Sequence, residues 1–326
     1  MKRSVFLAGA LAIVWSQIGC QQPAEGPVDL GPADLPQAGE ILTIDRARTL
    51  VIADGEVGAL AGTIAVEPTG SLTLAVDGEL TVDDEALISM QSGSVDWTLR
   101  GALLGMGLQV DISAGGEFDF DAHEGMIEMF RFKITNRTGR FSWLSSGADI
   151  DDLLVENYGA VAEITDTGQL RFNYLYLKDQ SDDVGSTGIT LACADVEDSG
   201  QFMVVSNGSD GAVNVTMSGD VAMEGIDLDI NYGGQVDMNV AAGANVAVTD
   251  FAVDCSGASH GNQSGGELVN DGYMAATNVM FGSGDNCEHR NVTEAGGPET
   301  WQMTFNGENT FSIIDRGTLN MVLAYE

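Results

Sequence analysis

Between Glu117 and Arg140 the chain concentrates side chains that can do chemistry. Glu117, Asp119, Asp121 and His123 recur at period two, with Phe118, Phe120 and Ala122 between them. On a β-strand that spacing sends three carboxylates and an imidazole to one side and the apolar residues to the core. Clustered carboxylates suit a hard cation such as calcium; the plainer reading is the solvated face of an acidic protein. Just downstream, Arg131, Lys133, Arg137 and Arg140 are four of the 13 basic residues of the chain. Arg131 and Lys133 alternate with Phe130, Phe132 and Ile134, which turns both cations outward. There they can hold an acidic sugar or sulfate, or offset acidic neighbours. Tyr174, Tyr176 and Trp143 are outward aromatic candidates for stacking on a sugar ring, and Asp182 and Asp183 form a carboxylate pair close by.

The elements that position these side chains are read most clearly further on. The stretch from Gly233 and the stretch from Gly265 repeat: Val246 falls on Met274, Asp250 on Asn278, Phe251 on Val279 and Val253 on Phe281, at a constant offset of 28. Each copy is a Gly-Gly turn, an alternating segment, a second glycine and a second alternating segment. A unit so short cannot bury a face by itself, so copies must stack and strands must pair with their equivalents in the next copy. Tracing the last inward residue backwards gives Ile134, Val155, Leu177, Val196, Leu228, Val253 and Phe281, in steps of 21, 22, 19, 32, 25 and 28. The long step implies a longer loop around Ser206 to Gly211 or an additional short strand. On this register Asp152 lies one coil beyond Arg131. From Gly39 to Met90 short alternating segments come every eight or so residues, which allows several strands per coil or a run of short antiparallel strands.

Between Glu128 and Asn286 the chain resembles the right-handed parallel β-helix group, and within it bacterial surface proteins of pectin-lyase-like fold with Gly-Gly and Asn repeats. Gly265-Gly266, Asn270, Gly272, Thr277, Asn278 and Gly284 carry the resemblance. Asn and Asp at coil corners tolerate left-handed backbone and can hydrogen-bond to the same residue one coil away. The resemblance implies fold rather than function, because such folds host enzymes, adhesins and inert stalks. Asp182-Asp183 and Ser259-His260-Gly261 are similar to polygalacturonase motifs but lie 77 residues apart, about three coils, whereas acid and base must flank one glycosidic bond. A lyase would draw on Arg171 and Lys178 beside Asp182 and Asp183.

The N-terminus carries an address. Lys2 and Arg3 precede an apolar run from Val5 to Trp15, and Ile18-Gly19-Cys20 resembles a bacterial lipobox, with Gln17 departing from its pattern. The expectation is a lipoprotein-type signal peptide over residues 1–20, lipidation at Cys20, and a proline-containing tether over 21–40. The solenoid is expected over 41–300 and a C-terminal β cap over 301–326. With 13 basic and 49 acidic residues the net charge is −36, which repels nucleic acid. Beyond Cys20 there are Cys193, Cys255 and Cys287, and a disulfide between Cys255 and Cys287 would join adjacent coils.

The sequence therefore predicts an all-β, right-handed parallel β-helix with capped ends, exported and lipid-anchored at a bacterial outer membrane or cell surface, with a structural or adhesive role and no catalysis. The alternative is a carbohydrate-active or glycan-binding protein with a groove along residues 117–183. Calcium is the one cofactor suggested. The partners expected are the membrane, surface polysaccharide, other surface proteins and further copies of the chain.

Overall fold

A computed structural model describes residues 28–158, 161–180, 188–208, 212–256, 264–282, 290–293, 299–305 and 309–323. They form a parallel β-solenoid of stacked coils; beside the strands, the described residues contain only a short 3-10 turn, Pro32–Asp34. Each coil has three faces, and each strand pairs in parallel with the strand about one coil later. The first face is built by Ala47–Ile52, Ser71–Val76, Ser94–Leu99, Glu117–Ala122 and their successors. Val57–Leu60, Glu79–Val82 and Ala102–Gly105 begin the second face, and Ile41–Ile44, Thr63–Val66, Ala86–Met90 and Leu108–Ile112 the third. The open choice for residues 39–90 is thus settled as short parallel strands, three to a coil. From Met126–Asn136 onward strands run through the corners, and Arg140–Asn157 passes along all three faces with a register slip between Ser145 and Gly147.

Alternation explains the core. On the first face Leu50, Leu74, Trp97, Phe120, Trp143, Ile164, Leu191, Val215, Met238, Leu268 and Ile313 lie in register one above another, all buried. Each such side chain contributes about 1.5–3 kcal/mol by leaving water. Around Phe120 the ladder becomes aromatic: its ring lies edge-on to Trp97 at 5.0 Å and Trp143 at 4.8 Å, and stacks on Phe132 at 6.1 Å. Trp143, expected outside, belongs to this core. Phe130, expected inside, is exposed instead. The strand bends between Met129 and Phe132, both buried, so two successive residues, Phe130 and Arg131, face outward there.

The offset of 28 holds residue by residue, Val246 pairing with Met274 and Val253 with Phe281. On the third face the inward residues are Ile134, Val155, Leu177, Val204, Leu228, Val253 and Phe281. Val204, not Val196, continues the row; Val196 sits on the second face, over Leu170 and under Val221. With Val204 in place the uneven steps of 19 and 32 become 27 and 24. The corners carry the polar ladder: Asn136 Nδ2 donates to Asn157 Oδ1 at 3.1 Å, and Asn157 Nδ2 to Asp179 Oδ1 at 2.8 Å.

Val28–Leu30 pairs with the first-face strand Ala47–Ile52, and Leu35 is buried against the coil. At the other end, Asn309–Asp315 pairs in parallel with Gly265–Asn270, and Thr318–Leu323 with Tyr273–Phe281. These residues are a further coil and not a separate cap. The antiparallel strands Arg290–Thr293 and Glu299–Phe305 cover the free edge of Asn309–Asp315, which blunts the parallel ladder.

Candidate functional site

Glu117, Asp119 and Asp121 lie on the first face with exposed side chains, and Phe118, Phe120 and Ala122 are buried between them, as the alternation requires. Same-side residues on one strand are ~6.8 Å apart, so the carboxylates form a row on the outer surface. Glu117 pairs in register with Arg140, and Arg140 reaches Glu163 at 3.2 Å. The hydrogen bond to Glu163 and the charges of Asp119 and Glu163 raise the Arg140 pKa. His123, also exposed, follows at the strand end and donates its backbone N–H to Asp121 at 3.0 Å. Among the described residues no three His, Cys, Asp or Glu side chains are grouped to hold a metal ion.

The third face brings together Arg131, Lys133, Tyr174 and Tyr176. Arg131 binds Asp152 of the next coil, Nη2 to Oδ2 at 2.9 Å and Nε to the same oxygen at 3.3 Å. Lys133 lies 3.5 Å from Glu156. Tyr174 is the register partner of Asp152 and Tyr176 of Leu154, so at ~4.8 Å per coil the tyrosines lie roughly 10 Å along the rod from the cations. The two rings are near parallel, 12° apart with centroids at 6.0 Å, and both are partly buried. Burial, then Tyr174 and Glu156, pushes the Tyr176 phenol up to about 12; burial, Asp227 and Asp152 raise Tyr174. Both therefore stay protonated at neutral pH, and Tyr174 Oη donates to Met203 Sδ at 3.3 Å.

Sequence reasoning missed the rest of this face. Gln201 and Met203 are the register partners of Tyr174 and Tyr176. The misplaced anchor at Val196 hid them, although an offset of 27 from Tyr174 finds Gln201. Asp227, one coil beyond Met203, and Asp229 have pKa values raised by burial first and then by neighbouring carboxylates, Asp254 among them. Towards the C-terminus the tyrosine pair is followed by carboxylates, while towards the N-terminus Asp152 and Glu156 stand on the coil between it and the Arg131 and Lys133 cations.

A groove of about 650 Å³ lies where the second face turns into the third. One wall carries Leu104, Glu128, Asp149 and Arg171, which pair in register along successive coils; the other carries Met106, Phe130, Asp151 and Asn173. An adjoining hollow of about 340 Å³ shares Asp149 and Arg171 and reaches Glu197. Arg171 is ion-paired with Asp149 at 3.6 Å. Lys178, the other cation considered for a lyase, pairs in register with Glu156.

The Cys193 thiol is buried and its pKa is pushed up to about 12, by burial and then by Asp166. Ser145 accepts a hydrogen bond from Trp143 Nε1 at 2.7 Å and donates to Asp166, but all three are buried and brace the corner between the first and second faces. Cys255 is buried, whereas Cys20, Asp182, Asp183, His260 and Cys287 lie outside the described residues, and with them the proposed lipidation, carboxylate pair and disulfide. No family model matches the chain, and comparison with curated proteins and with solved structures found no match.

Proposed function

We propose that this protein is an exported, lipid-anchored surface solenoid whose role is structural and adhesive, without catalysis. The observation that carries the adhesive part is the third face, where Arg131, Lys133, Tyr174 and Tyr176 line up over three coils on a rigid ladder. A rod presents such a face without enclosing a substrate, and its cations already have carboxylate partners at 2.9 and 3.5 Å, which suits binding more than acid–base work. Export and anchoring are supported by the charged and apolar leader and by Ile18-Gly19-Cys20, with the pectin-lyase-like resemblance in keeping with a surface protein.

The near-parallel Tyr174 and Tyr176 rings favour a second reading, in which the same face takes a glycan or is part of a carbohydrate-active protein. Incubating the full chain with neutral and acidic polysaccharides, with and without calcium, separates the readings. Retained protein with polysaccharides of unchanged length supports an adhesin. Shortened chains would overturn the non-catalytic reading, and binding that needs calcium and is lost in Asp119→Asn would assign the ion to the carboxylate row.

A further inference from the structure

Among the described residues eight large hydrophobic side chains are markedly exposed; two of them, Met106 and Phe130, line the groove between the second and third faces, and a third, Met126, lines the adjoining hollow. The carboxylates of Glu128, Asp149 and Asp151 share its walls, and Arg171, the one cation among its lining residues, is engaged by Asp149 at 3.6 Å. Net negative charge on such a surface repels an acidic sugar. The groove is complementary to a cationic chain that carries apolar groups. The Phe130 ring already accepts a cation on its face, the Arg131 guanidinium standing 5.7 Å from its centroid.

We propose that this groove receives an extended basic segment of a partner polypeptide, its Lys or Arg side chains on Glu128, Asp149 and Asp151 and its apolar side chains on Phe130 and Met106. The two walls supply one residue each per coil, so the groove runs along the rod. From Leu104 to Arg171 is three coil steps, ~14 Å at ~4.8 Å each, which about four extended residues span at ~3.4 Å per residue. The open shape suits a chain that enters and leaves at the ends better than a small enclosed ligand. The site is separate from the tyrosine face and stands whether or not that face takes a glycan.

The probe is a fluorescent octapeptide of alternating Lys and Leu, titrated with the full chain and followed by anisotropy. Controls are the alternating Glu-Leu and Lys-Gly peptides. Phe130→Ala is expected to weaken binding at least about tenfold, and the triple variant Glu128→Gln, Asp149→Asn, Asp151→Asn by more. The triple variant Asp227→Asn, Asp229→Asn, Asp254→Asn removes the same formal charge elsewhere and is expected to weaken it no more than about twofold, the residual effect of long-range field. The Lys-Gly peptide is expected to bind more weakly than Lys-Leu. Equal losses in the two triple variants would mean that binding follows net charge alone and would overturn the proposal, as would equal affinity for the Glu-Leu peptide or displacement of the probe by a neutral oligosaccharide. All substituted groove side chains are exposed, and unchanged thermal unfolding checks that the variants fold.

Discussion

The carboxyl group of Asp179 sits at a coil corner, accepting hydrogen bonds from Asn157 Nδ2 at 2.8 Å and from the Ala212 backbone N–H at 2.9 Å. Burial outweighs both and holds its pKa at about 6, against 3.8 as the ordinary value. Between those values the folded chain keeps a proton that the unfolded chain has lost. Its contribution to stability is fully present below about 4 and is lost as pH rises through about 6, on the order of 3 kcal/mol. Urea unfolding at mildly acidic and at neutral pH is expected to show this fall in the wild-type chain and a shallower one in Asp179→Asn; parallel slopes in the two would contradict it. Cys193, with its thiol pKa pushed up to about 12 in the core, is expected to resist alkylation until the coil is unfolded. A native chain modified at Cys193 as fast as an unfolded one would show the site open. Inward and outward placement of Glu117 to Ala122 was legible from alternation, because nothing interrupts that strand. Phe130 and Trp143 were misread because the bend and the aromatic stack depend on neighbouring coils, which one strand's pattern does not contain.

An element in this fold is held by its equivalents above and below. Phe120 touches Trp97, Phe132 and Trp143, contributed by three coils. Phe120→Ala is expected to cost about 3–5 kcal/mol, measured by chemical denaturation; a loss below about 1 kcal/mol would mean that the stack relaxes into the cavity. Corners set a second limit. A Cβ on Gly168 would meet the Ser146 carbonyl oxygen at 1.8 Å, backbone against backbone. Gly168→Ala should therefore push the two successive coils apart at this corner, read as faster hydrogen exchange there, whereas wild-type protection would show that the turn accommodates a side chain. The repeat of 28 was legible because residues 245–253 and 273–281 pair without a register slip. The coil holding Val204 was not, since its step of 27 exceeds the 21 and 22 before it and the apolar Val196 offered a false anchor on the adjacent face. Gln201 and Met203 were lost from the candidate site for that reason.

At the scale of the whole molecule, the ladder from Leu50 to Ile313 makes one continuous core, while the surface carries a net charge of −36. Mutual repulsion of that size opposes the compact state and is screened by salt, so the melting temperature is expected to rise from low to high ionic strength; a fall would point to ion pairs such as Arg131–Asp152 outweighing the repulsion. The antiparallel strands Arg290–Thr293 and Glu299–Phe305 cover one edge of Asn309–Asp315, and Leu35 is buried against the first coils. Fold class and coil pairing were readable because they repeat; ligand chemistry was less so, because the groove and the tyrosine face join residues one coil apart that no local motif links. The central claim, a surface-anchored display rod, is tested most directly in intact cells producing the full chain or Cys20→Ala, treated with external protease and then fractionated. The expected result is wild-type protein in the membrane fraction and degraded from outside, with Cys20→Ala released to the soluble fraction. Full-length wild-type protein with its leader uncleaved, soluble inside the cell and protected from protease, would contradict it.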